Sequence, residues 1–126
     1  MSRTQIVLGS RTLVPNPNAH GTGWGTPHPR AISNWGVPSG RAWKIRWSTW
    51  GGQAALGRGL TWLYRPEGGY YVKPGAIELR AYRIGKCSPT GPRAYLHLRA
   101  RVAKRPGGPL GRWFTWAGLR NLCRWS

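Results

Sequence analysis

The side chains able to move a proton or hold a metal are few and scattered. Only Glu67 and Glu78 carry carboxylates, Asp is absent, and the histidines are His20, His28 and His97. Glycoside hydrolysis needs two carboxyl groups about 5–9.5 Å apart, one to protonate the leaving oxygen and one to act as base or nucleophile. Glu67 falls in the turn Pro66-Glu67-Gly68-Gly69, and Glu78 falls on a polar strand face beside Arg80, where an ion pair is the plainer role. His20 and His28 lie in a Pro-rich loop and His97 on a strand's polar side, so no Ser/His/acid or Cys/His set has local support. Cys87 and Cys123 match no zinc spacing with these histidines. The run GGQAALGRG at 51–59 has the glycine content of a phosphate cradle, but no GK[ST] follows it, and a flexible hairpin loop is the expectation. The chain is expected to be non-catalytic, with no cofactor and no metal.

Cations among aromatic rings are abundant instead. Twenty Lys and Arg face two acids, giving a formal charge of +18, and Arg outnumbers Lys sixteen to four. Self-repulsion at that charge opposes a compact monomer and favours an anionic neighbour: nucleic acid, an acidic protein surface or an anionic cell envelope. A GC-rich genome would also raise Arg, Gly, Pro, Ala and Trp, but it leaves the missing Asp unexplained. The sharpest binding candidate is a polar strand face with Arg80 and Tyr82 on one strand and Tyr95, His97, Arg99 and Arg101 on the next. Cations interleaved with rings suit nucleic acid, and equally an acidic protein surface; a merely solvated face is the bland alternative. Of the nine Trp, Trp43, Trp47 and Trp62 alternate with apolar neighbours and read as core. Trp50, Trp113, Trp116 and Trp125 lie near Arg or Gly and are candidates for exposed rings that stack on sugars or bases, or fill a partner's pocket.

The elements that must position these groups read as short strands. Gly (19) and Pro (11) approach a quarter of the 126 residues, which argues for many turns and against long helices. Ile6-Val7-Leu8 suits a first strand. Residues 15–40 carry Pro15, Pro17, Pro27, Pro29 and Pro38, too many for a helix or a central strand. Trp24 and Trp35 suit an extended arm, anchored by its rings on a core or ordered on a neighbouring subunit. Ala42 to Trp47 alternates, with Trp43, Ile45 and Trp47 on one side and Lys44 and Arg46 on the other. Leu60 to Arg65 suits a second strand and Tyr70-Tyr71-Val72 a short third. The strongest pattern spans 76–103. Ile77, Leu79 and Ala81 alternate with Glu78, Arg80 and Tyr82. After a Pro/Gly loop, Ala94, Leu96, Leu98, Ala100 and Val102 alternate with Tyr95, His97, Arg99 and Arg101. An antiparallel pair with one apolar and one wet face follows. Trp113 to Trp116 suits a strand, whereas Trp116, Leu119 and Cys123 suit one face of a short helix. The organisation expected is an extended N-terminal arm over 1–40 and a β-sandwich core over 41–126 ending in a Trp/Arg-rich segment. The opening residues lack a signal-peptide pattern and no window reaches 18 apolar residues; Cys87 and Cys123 could pair, but cytoplasmic synthesis with free thiols is the default.

LVPNPNAHGTGWG at 13–25 resembles the opening of carbohydrate-binding-module-like (galactose-binding-like) jelly-roll domains. Tyr71-Val72-Lys73-Pro74-Gly75 leading into IELRAYRIG, then the strand Ala94 to Val102, is similar to the turn and core strands of that family. The resemblance covers roughly residues 10–103. It implies an all-β, antiparallel jelly-roll-like sandwich of the kind found in bacteriophage minor tail and capsid decoration proteins. By implication the chain works in a virion, with phage capsid or tail proteins as partners, in a homo-oligomer or larger assembly, with a glycan or anionic polymer as a further partner. Two departures stand out. Asn18-Ala19-His20 replaces the usual Phe-Glu, and no acid follows Glu78 to hold the structural calcium common in the family, an ion that takes about six to eight oxygens. A basic nucleic-acid-binding protein and a free glycan-binding module are the alternative functions.

Overall fold

Alternation at 76–103 builds the centre of the molecule. The computed structural model describes residues 5–13, 22–34 and 40–124. Its strands are β1 (Val7–Leu8), β2 (Ile32–Ser33), β3 (Arg41–Trp47), β4 (Ala54–Thr61), β5 (Gly75–Lys86), β6 (Arg93–Val102) and β7 (Phe114–Thr115). Single 3-10 turns span Arg11–Leu13 and Trp116–Gly118, and no α-helix occurs among the described residues. The strands run β1-β6-β5-β4-β3-β2 in one curled mixed sheet, with β7 also on β6. β1 is parallel to β6, unlike the wholly antiparallel arrangement expected, and no second packed sheet occurs among the described strands.

From Ile77 to Tyr82, β5 pairs antiparallel with both β4 and β6 without a shift of register, so each side-chain row there crosses all three strands. On the inner face Ala55, Ile77, Leu79, Ala81, Leu98 and Ala100 are buried. They close against Leu8, Leu13, Trp24, Ile32, Trp116, Leu119 and Leu122 from the flanking segments. β4 begins inside the run read as a flexible loop. Gly57 and Gly59 are strand residues there, because a Cβ on Gly57 would stand 2.8 Å from the Trp47 ring and one on Gly59 would stand 2.6 Å from the Trp43 carbonyl oxygen. Of the strand expected at 60–65 only Leu60 and Thr61 belong to β4, and Tyr64 and Tyr70 meet in an isolated bridge.

The segment 22–34 wraps its own sheet. Leu8 donates its amide to Thr26 O and accepts from Gly25 N, Trp47 Nε1 donates to Pro29 O, and Ile45 N donates to Arg30 O. Trp24 is buried, donates Nε1 to Ser33 O at 3.1 Å and packs against Trp116. Its ring therefore anchors the segment on this chain's core and does not project toward a neighbour. Trp35, the other anchor expected in the arm, lies outside the described residues, as do His20 and Trp125.

The tail follows the strand reading for two residues, β7, and then turns through Trp116–Gly118 instead of forming a helix. Leu122 N donates to Leu96 O, and Ser10 N donates to Leu122 O, so the tail ties β6 to the residues after β1. Cys87 and Cys123 are disulfide-bonded, correcting the free-thiol default. The bond closes a separation of 36 residues, for which chain entropy gives about 4 kcal/mol of stabilisation.

Candidate functional site

The outer face of the sheet collects the cations. Arg46 lies directly across from Arg58, Arg58 from Glu78, and Glu78 from Arg101, forming one row over four strands. In the next row Leu56, Arg80, Arg99 and Thr115 stand side by side, and Tyr82 faces His97 in the row after that. Five arginines thus surround the single carboxylate of Glu78. Arg101 donates Nη2 and Nε to Glu78 Oε1 at 2.6 and 2.9 Å, and Arg58 Nε lies 3.7 Å from Oε2. Glu78 is thus shared between two cations, the closer contact being with Arg101. Arg80 and Arg99, both exposed, make no ion pair with an acid among the described residues.

Aromatic rings punctuate the arginines. Tyr82 stacks on His97 with centroids 5.3 Å apart, and the Arg80 guanidinium lies 5.7 Å from the Tyr82 ring. Arg101 covers Trp113 at 4.8 Å, and Arg41 sits 5.8 Å from Trp43, which tilts against Trp62. Trp43 was expected beside Ile45 and Trp47 in the core. A bulge between Trp43 and Arg46, with Lys44 at φ +52°, moves it to the outer face opposite Leu60.

Of the six residues expected on the wet face, Arg80, Tyr82, His97, Arg99 and Arg101 are brought together there. Tyr95 is not: it is fully buried. Pairing between β5 and β6 lapses at Arg83 and Leu96, where Arg83 adopts φ +59°, and beyond that break the sheet's curl and β1 enclose Tyr95. Its hydroxyl donates to Gly52 O at 2.6 Å and accepts from Gly51 N at 2.9 Å. Burial pushes this phenol above its ordinary pKa, against the Gly51 hydrogen bond and the nearby Arg93 charge. Trp116, expected among the exposed rings, is buried against Trp24 because the tail folds back on the inner face. Trp50 is half-buried, wedged against Trp47 and Tyr95, and donates Nε1 to Ile6 O. Trp113 is half-buried beneath Arg101.

The outer face was legible from alternation, but Arg46 and Arg58 were not singled out, because Arg58 sat in the glycine-rich run. Past His97 lies a depression lined by Lys86, Arg120, Arg124 and the Cys87–Cys123 bond, which prolongs the cationic track. Glu67 is apart from this face and pairs with Arg65 at 2.8 Å; that hydrogen bond, chiefly, lowers its pKa. No cluster of three His, Cys, Asp or Glu able to hold a metal occurs among the described residues. None of the helical turns described is long and apolar enough to cross a membrane.

No family model, curated protein or solved structure matches this chain. The likeness to carbohydrate-binding-module-like jelly rolls rests on its short motifs alone.

Proposed function

We propose that this protein is a non-catalytic all-β module that binds nucleic acid along its outer sheet face. The observation that carries the reading is the direct opposition of Arg80 to Arg99, next to that of Arg46 to Arg58. Like charges directly across a sheet destabilise it, and a phosphate chain laid over these rows would supply the missing counter-charge. Tyr82, His97 and Trp113 add ring surfaces on which bases can stack. Both carboxylates already serve arginines, which leaves neither free for acid–base work.

The test must separate this face from mere net charge. Binding of a fluorescent single-stranded oligonucleotide is followed against salt for the full chain, for R80Q/R99Q, and for K73Q/R105Q, which removes two exposed charges elsewhere. Losing two phosphate contacts should lower the slope of log K against log salt by about 1.4. That drop is expected for the first pair and should be much smaller for the second. Equal losses from both pairs, or no binding at low salt, would overturn the proposal.

A virion role, as a capsid decoration or minor tail protein with a jelly-roll-like sandwich, is the second reading. It is favoured by the turn Lys73-Pro74-Gly75, which opens β5 ahead of β6 in the order the resemblance implies. There the outer face would meet packaged nucleic acid or an acidic shell protein. Co-sedimentation of the chain with particles tests it.

A further inference from the structure

Arg101, Arg99 and His97 follow one another at every second residue of β6, and beyond His97 the polar row drops into a depression of about 720 Å³. His97 belongs to both surfaces: it stacks on Tyr82 on the outer face and lines the depression. The other polar walls come from the end of β5 and from the tail, with Lys86 and Ser88 on one side and Arg120, Asn121 and Arg124 on the other. Lys86, Arg120 and Arg124 are exposed, and none of them makes an ion pair with an acid among the described residues.

Two anchors hold these cations together. Arg120 and Asn121 lie between Leu119 and Leu122, which are buried and fix the backbone on either side of them. Leu122 N donates to Leu96 O, and Cys123 N donates to Asn121 Oδ1 at 2.9 Å. The second of these bonds turns the carboxamide so that its NH2 is the end that donates. The other anchor is covalent. Cys87 and Cys123 are joined with Cα atoms 5.2 Å apart, and each has a cation beside it in the chain, Lys86 before the one and Arg124 after the other. Repulsion among like charges would carry the end of β5 and the tail apart. The bond opposes that separation and keeps three cations and an amide donor at one concave place.

A ligand for such a place must accept hydrogen bonds and carry negative charge. Phosphate oxygens do both, with Arg meeting them as a fork and Lys as a point charge. A carboxylate would answer the same donors, but the Tyr82–His97 stack at the edge favours a nucleotide strand. Such a strand brings flat bases to the rings and phosphates to the cations, whereas an acidic peptide brings only the charge. We propose that the depression is a phosphate subsite assembled by the Cys87–Cys123 bond, and that a bound strand runs along β6 from Arg101 past His97 into it. This inference rests on the nucleic-acid reading above. It adds a direction for the strand and makes binding depend on the disulfide.

The experiment follows decathymidylate binding against salt by anisotropy, with circular dichroism checking the fold of each variant. C87S/C123S changes no formal charge, yet it should lower the slope of log K against log salt by about 0.7–1.4, the loss of one or two phosphate contacts. K86Q/R120Q should lower it by about 1.4. Combining the four substitutions should lower it little further, because both pairs remove the same site. K86Q/R120Q leaves the disulfide in place, so it keeps the test available if the serine variant fails to fold, with K73Q/R105Q as its control. An unchanged slope in a folded C87S/C123S, or a drop for K86Q/R120Q no larger than for K73Q/R105Q, would overturn the subsite while leaving binding through Arg80 and Arg99 intact. Polyglutamate binding with the same dependence on Lys86 and Arg120 would give the depression to acidic protein and overturn it as well. If the full-length chain binds no strand at low salt, the nucleic-acid reading fails and takes this inference with it.

Discussion

The inner and outer faces of β4–β6 are built from the same three strands, yet they treat the fold in opposite ways. Inside, Ala55, Leu79, Ala81, Leu98 and Ala100 sit in successive rows and are at most 2% exposed. Each row sets one leucine beside two small residues, Ala55-Ala81-Leu98 and Gly57-Leu79-Ala100, and the two buried tryptophans of the flanking segments close over them. Outside, the same register sets Arg80 against Arg99 and gives Glu78 two arginine partners, and β3 adds Arg46 against Arg58. One face lowers the free energy of the folded chain by removing apolar area from water, and the other raises it by crowding like charges. A face that weakens its own fold invites an explanation outside the fold, whereas a face that stabilises it needs none.

Substitutions on each side should therefore move different measurements. The largest effect is expected from Leu98→Ala, which should cost about 2–5 kcal/mol by denaturant unfolding while leaving the salt slope of binding unchanged. Replacing Cys87 and Cys123 together by Ser should cost about 2–4 kcal/mol, visible as a lowered Tm, because the 36-residue closure is lost from the unfolded chain. A chain that reduces with no change in Tm would show that the clasp contributes nothing.

Tyr95→Phe should cost about 1–1.5 kcal/mol, since Gly51 N and Gly52 O lose their common partner. Its pH dependence has a definite sign. The folded pKa is raised, so the folded chain holds this proton more firmly than the unfolded one. The associated stability is complete below the unfolded phenol value of about 10 and is lost as pH rises through the folded value. Tyr95→Phe should blunt that alkaline loss, and an identical alkaline profile for the two proteins would refute this role. The smallest effect on stability, and of reversed sign, is expected from Arg80→Gln: a gain of about 0.2–1 kcal/mol as its opposition to Arg99 is relieved, together with weaker oligonucleotide binding. Loss of stability instead would mean that the arginines hold the sheet together, and the contrast between faces would collapse.

The contrast was largely readable in the sequence from 76 to 103, because a period of two allows only one assignment of faces once a strand is buried on one side. Ile77, Leu79, Ala81, Leu98 and Ala100 went inward and Arg80, Tyr82, His97, Arg99 and Arg101 outward on that rule alone. It failed where the backbone departs from extended geometry. Lys44 and Arg83 both take positive φ, and the faces of Trp43 and Tyr95 change near them. Alternation carries no sign of either departure. Glycine misled in another way: 51–59 looked like a loop by composition, yet Gly57 is in β4 because the Trp47 ring lies where its side chain would be. A hollow beside Asn34 and Trp116 was invisible for a third reason. It joins residues from five separate stretches of the chain, and no local pattern encodes such a meeting.

The parallel pairing of β1 with β6 has a consequence for synthesis on the ribosome. Leu8 has nearby backbone partners in Gly25 and Thr26, but Val7 and Leu8 find their sheet neighbours at Ala94 and Tyr95, and the backbone of Leu96 then waits for Leu122. An early strand therefore emerges long before the segment it will lie beside. Contacts so distant along the chain slow folding, because loop-closure entropy is lost before the contacts can repay it. The nascent chain must pass through a long interval in which apolar β1 lacks its sheet neighbour β6 while most of the arginines are already made. During that interval mutual repulsion among those cations, adverse in the finished fold, would help keep the growing chains apart.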